Sequence, residues 1–153
     1  MNVLPAPIIT IEANGYEGVY IDFDSVNFFA RFGKEFSDYF KALGFDWQRL
    51  AGAQVLEIDG QEAYSYVDYI ANTVSGNFLD HGVRVNSVFT SYGISENVIT
   101  QRLGDLAGPI FVSQTSVNMT LVLAGSQTSE TIQIPYLAGF QGSAFSDSAS
   151  LYV

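Results

Sequence analysis

Apolar and polar residues alternate near the start of the chain and again near its end, while between these stretches the apolar spacing lengthens to three and four. After an extended lead-in stiffened by Pro5 and Pro7, residues 8–11 (Ile-Ile-Thr-Ile) form a short β-rich run that Asn14-Gly15 closes. Residues 18–23 form a second run, and period two puts Val19, Ile21 and Phe23 on one face. Asn-Gly between two such runs predicts a hairpin. From 28 to 43 the residues Phe28, Phe29, Phe32, Phe36, Tyr39, Phe40 and Leu43 recur at helical spacing. They predict one broad aromatic helix face, capped by Asp24 or Ser25, interrupted at Gly33 and stopped by Gly44. Aromatics dominate core burial, so this stripe reads as packing before it reads as a ligand groove.

Residues 53–58 predict a strand, Asp59-Gly60 a turn, and residues 61–74 a helix burying Ala63, Tyr66, Val67, Ile70, Ala71 and Val74, with Gly76 as its end. Residues 77–116 are less periodic and punctuated by Gly82, Gly93, Gly104 and Gly108-Pro109, which predicts an irregular flap. Within it, Val83, Val85, Val88 and Phe89 suggest a short helix or strand. Residues 117–123 and 130–134 alternate on either side of a Gly-Ser turn and give the clearest hairpin, ended by Pro135. The order predicts an α+β fold: a small, mostly antiparallel sheet or partly open barrel with two packed helices. One domain is expected over residues 1–136, with its insertion at about 77–116, followed by an extended tail or linker at 137–153.

Composition narrows the function. The 153 residues carry 16 acidic and 6 basic side chains, a net charge of −10, with 48% apolar and only 14% charged residues. So apolar a chain folds rather than staying disordered. Six scattered cations do not neutralise a phosphate backbone against that charge, which argues against nucleic acid. Without cysteine there is neither a disulfide scaffold nor a thiolate metal site. No apolar run reaches the roughly 18 residues of a membrane helix. Low charge and many Ser, Thr, Gly, Asn and Tyr residues fit a secreted protein, although the N-terminal residues lack the pattern of a signal peptide.

Candidate chemistry is sparse. Nucleophilic catalysis needs an activated side chain beside a base, yet His81 is the one imidazole and no Gly-x-Ser-x-Gly occurs. A histidine in the Gly-flanked sequence Asp80-His81-Gly82 reads as a surface or hydrogen-bonding residue. Asp22 and Asp24 lie close enough for calcium, but solvated turn carboxylates are the simpler account, and no metal or cofactor is called for. Asn118-Met119-Thr120 is a glycosylation acceptor if the chain is secreted.

The segment from Leu50 to Ala63 (Leu-Ala-Gly-Ala-Gln-Val-Leu-Glu-Ile-Asp-Gly-Gln-Glu-Ala) resembles a signature of PDZ-like domains, in which a small-residue turn leads into a strand, an Asp/Asn-Gly turn and a helix. Glu17-Gly18-Val19-Tyr20-Ile21 looks like the strand that borders the peptide groove, with Tyr20 in place of a second glycine. With residues 78–87, the chain resembles the PDZ-like region of fungal, chlamydial-protease-like members of the C-terminal (tail-specific) processing serine peptidases. The resemblance covers roughly residues 15–136 and implies the non-catalytic part of a secreted peptidase-like protein, since the family's serine lies in a separate domain. It implies a peptide site at Gly18, Val19, Tyr20 and Ile21 on a sheet edge, with Tyr66 and Ile70 on the helix across it. The partner would be a peptide or protein segment, including a peptidase domain in cis. Glu17 beside the loop disfavours capture of a free C-terminal carboxylate. The alternatives are a small secreted module that recognises a glycan or protein surface through exposed aromatics, and an enzyme acting through paired carboxylates. Burial of Trp47 and the tyrosines separates the first two.

Overall fold

Asn14 and Gly15 both adopt positive φ, 55° and 78°, the left-handed pair that lets a two-residue turn follow the twist of its strands. They join β2 (Ile8–Ala13) to β3 (Tyr16–Ile21) in the first hairpin. The computed structural model describes residues 2–30, 34–108 and 113–138, with side chains for all of these except 28–30. A short β1 (Asn2–Val3) precedes the hairpin. Two helices follow it, α1 (Ser25–Ala30) and α2 (Lys34–Ala42), and then a 3-10 turn at Trp47–Leu50. The strand β4 (Gln54–Ile58) turns at Asp59-Gly60 into β5 (Gln61–Glu62) and α3 (Ala63–Thr73). Beyond lie α4 (His81–Val88), the ribbon β6 (Ser91–Ser95) and β7 (Val98–Arg102), the hairpin β8 (Ser116–Val122) and β9 (Ser129–Pro135), and β10 (Leu137–Ala138).

Among the described residues the main sheet runs β2-β3-β4-β8-β9, antiparallel throughout, with β5 paired to β4. Among the described residues no sheet closes into a barrel. The class is α+β as expected, but four helices are described where the periodicity predicted two. The long aromatic helix is two helices; residues 31–33, with the expected break at Gly33, and the side chains of Phe28, Phe29 and Phe32 lie outside the described residues. The residues expected to form an irregular flap contain regular structure, α4 and the β6–β7 ribbon. The short helix or strand suggested by Val83, Val85, Val88 and Phe89 is the helix α4, which buries Val88 and packs Val85 against the core. Strand pairing extends past Tyr136: Val3 opposes Leu137 and Asn2 opposes Ala138. The remaining tail, 139–153, lies outside the described residues.

The core collects alternate residues of every main strand, among them Ile8, Val19, Ile21, Val55, Met119, Leu121 and Ile134, against Ala63, Val67, Ile70 and Ala71 of α3. Phe36 and Phe40 of α2 complete it with Trp47, which meets Phe36 edge-on at 5.6 Å. Phe23, expected on the buried face of its strand, falls past the end of β3 and covers Gly52 from an exposed position.

Candidate functional site

The strand expected to border a peptide groove is interior. β3 pairs with β2 along its whole length and with β4 at Val19 and Tyr20, and Ile21 exchanges backbone bonds with Ala53 and Gly52. Strand addition at Val19–Ile21 would therefore have to displace a neighbour. Val19 and Ile21 are core residues, and Tyr20 folds back over Gly18. Tyr66 and Ile70, at 8% and 6% exposure, are packed beneath α3 rather than presented by it. Of the six expected residues, Val19, Ile21, Tyr66 and Ile70 lie in the core and Gly18 and Tyr20 are half-buried, and they do not line an open groove together.

The open edge belongs to β2. Thr90 donates its N–H to the Ile8 carbonyl at 2.7 Å, on the side of β2 away from β3. An antiparallel strand turns alternate residues to alternate sides. The backbone groups of Thr10 and Glu12 therefore face the same outer side as Ile8, and no described residue pairs with them. α3 begins near β3: Tyr64, in its first turn, lies against Glu17 of that strand and meets Phe89 edge-on at 6.3 Å. Burial, then the Glu17 carboxylate, pushes the Tyr64 phenol up to about 12. Glu12 opposes Glu17 in the β2–β3 register, and Glu17 and Glu62 both act on the Tyr64 phenol, so these carboxylates form an acidic rim near the start of α3, while Thr90 closes the Ile8 end of the outer β2 edge. Glu62 caps α3, its carboxylate accepting from the N–H groups of Tyr64 at 3.1 Å and Ser65 at 3.0 Å. Burial opposes ionisation of Glu62, but these two bonds and the Ser65 hydroxyl outweigh it and hold the carboxyl below its usual range.

The closing segment is fastened by Asp22, which is buried at 3% exposure. Its carboxylate accepts from the Tyr92 hydroxyl and the Gln101 amide on the β6–β7 ribbon, and from the N–H of Asp24 at 3.1 Å. Burial and this hydrogen bond both push the Tyr92 phenol upward. Thr90 donates its hydroxyl to the Leu103 carbonyl at 2.9 Å, and Arg102 donates to Ser87 O at 2.7 Å and pairs with Asp105. Asp22 is therefore a buried structural anchor rather than a solvated turn carboxylate, its oxygens accepting from these donors. Among the described residues no group of three or more His, Asp or Glu side chains is arranged to hold a metal.

His81 starts α4 and its Nε2 meets Asp68 Oδ1 of α3 at 2.7 Å on the surface, while Asp80 caps α4 through the Val83 N–H at 2.9 Å. This pair ties α4 to α3. Trp47 is buried at 4% exposure and cannot serve as a flat sugar platform. No family model, curated protein or solved structure matches the chain. No described helix is long and apolar enough to cross a membrane.

The residues missed from sequence are Thr10, Glu12, Tyr64 and Thr90. No local signal marks a strand edge as open, because openness depends on which strands pair elsewhere. One signal was present in the Thr10 and Glu12 positions, polar residues alternating with Ile9 and Ile11.

Proposed function

We propose that this chain is a non-catalytic peptide-binding or regulatory module, PDZ-like in design, of a secreted serine-peptidase-like protein, and that it takes an extended peptide by strand addition to the outer edge of β2. The observation that carries this reading is the bond from Thr90 N–H to Ile8 O. It is a strand-type bond already made on the outer side of β2, and the outward groups of Thr10 and Glu12 continue the same row without partners among the described residues. Backbone bonds of this kind supply affinity, and the flanking helix supplies selectivity. The order strand, Asp59-Gly60 turn and helix α3 also agrees with the PDZ-like resemblance. The acidic rim selects against peptides carrying their own carboxylates and favours an internal segment with Lys or Arg.

The test begins with a random dodecapeptide library panned against the full chain, and the selected peptide is then titrated against Thr10→Pro. Proline removes the outward N–H of Thr10 and is tolerated where that N–H faces solvent. The expected outcome is a loss of about tenfold or more in affinity, the loss of a backbone bond plus ring crowding, with an unchanged denaturation midpoint. Equal affinity for Thr10→Pro would count against strand addition at β2.

A further inference from the structure

A cleft of about 620 Å³ lies between α2 and the paired ends of β8 and β9, and it shares no residue with the β2 edge. Its size falls within the roughly 300–1,000 Å³ of small-molecule sites. Ser116 opposes Pro135 in the β8–β9 register, and Tyr136 donates its N–H to Thr115 O at 2.9 Å, so this wall is fixed by backbone pairing. Three rings line it: Tyr39 from α2, Phe45 just beyond that helix, and Tyr136. Between them stand the amides of Gln114 and Gln133 and the hydroxyl of Ser116. Gln133 donates its amide to Ser116 Oγ at 2.9 Å, which leaves the Gln133 carbonyl oxygen and the Ser116 hydroxyl proton for a ligand. Behind the wall, Asp59 accepts from Gln114 at 3.1 Å and from the Asn118 N–H at 2.8 Å, holding Gln114 in place. Burial first, then the Asp59 charge, pushes the Tyr136 phenol up against the opposing bond from Gln114, so that ring stays neutral and can donate.

Among the described residues, none that lines the cleft is charged. An anionic group entering the cleft would lose water without meeting a counter-charge and would face the Asp59 carboxylate behind the wall, which excludes anionic ligands. A purely apolar ligand would leave the amides and hydroxyls unpaired. A pyranose ring answers both demands: its C–H faces lie on aromatic rings, whose faces are electron-rich, and its hydroxyls pair with amides. We propose that this cleft binds a neutral oligosaccharide. Tyr39 is the accessible ring, 41% exposed and held edge-on to Phe40 at 5.3 Å. The site does not depend on the peptide edge, and the two can fail separately.

The experiment titrates the isotopically labelled full chain with mannotriose, cellotriose and triacetylchitotriose, with trigalacturonic acid as the charged comparison and a proline-rich peptide as the competing neutral ligand. The expected result is saturable shifts at the amides of Ser116, Gln133 and Tyr136 with at least one neutral trisaccharide, and none with trigalacturonic acid. Tyr39→Ala weakens that binding by about tenfold, the worth of one stacked ring, and Tyr39→Phe restores it. Gln133→Ala, on the exposed side of β9, weakens it independently of any change in α2. The proposal is overturned if no neutral trisaccharide shifts these amides, if trigalacturonic acid binds as well, if both Tyr39→Ala and Gln133→Ala bind unchanged, or if the proline-rich peptide alone occupies the cleft.

Discussion

Replacing Asp22 by alanine leaves the Tyr92 hydroxyl and the Gln101 amide without their shared acceptor and removes the Asp24 turn bond. The expected cost is about 2 kcal/mol in chemical denaturation, with faster amide exchange throughout β6–β7, because a two-stranded ribbon has little stability of its own. Glu62→Ala removes the cap of α3 and is expected to cost about 1 kcal/mol at neutral pH. The sign of its pH dependence follows from the lowered pKa. The carboxylate stabilises the fold above its ordinary value of 4.5, and that contribution is lost as pH falls through the lower folded value. Wild type and Glu62→Ala should therefore converge in denaturation midpoint in acid and diverge near neutrality. At this scale the sequence is partly readable. An Asp59-Gly60 turn announces itself, and both residues adopt positive φ, 48° and 76°. The role of Asp22 does not, since its partners lie 70 and 79 residues away along the chain.

The elements were legible where period and punctuation agreed. The late hairpin appears as Ser116–Val122 and Ser129–Pro135, and α3 buries Ala63, Tyr66, Val67, Ile70 and Ala71 as its spacing predicts. Val74 is left exposed because α3 ends one residue earlier. The hairpin was expected, but the strand expected at its open edge, β3, is interior. Val19 and Ile21 show the same alternation whether β3 is an edge or an interior strand, so only the pairing with β4 decides. The insertion offers a sharper test of how elements interlock. A Cβ at Gly104 would sit 2.3 Å from Val88 O and 2.6 Å from the Phe89 carbonyl, at a φ of 82°. Gly104→Ala should therefore push the Val88–Thr90 segment off Ile8 and cost about 2 kcal/mol or more. Calorimetry should show a lowered Tm, and exchange should show early loss of protection at Thr90.

Across the whole molecule there is an excess of ten negative charges; Glu12, Glu17 and Glu62 lie near the proposed peptide edge, whereas no charged residue lines the cleft among the described residues. These surfaces should respond differently to salt. Association of a Lys-containing peptide with the β2 edge should slow as ionic strength rises and the Debye length shrinks from about 30 Å at 0.01 M to 10 Å at 0.1 M. Binding of a neutral trisaccharide should not change over the same range. The most direct measurement of the central claim is residue-resolved amide exchange on the full chain, with and without the library-selected peptide. Strand addition at β2 predicts new protection at Thr10 and Glu12, with little change at Val19 and Tyr20, which are already paired. Saturating peptide that leaves Thr10 and Glu12 exchanging at their free rates would contradict it.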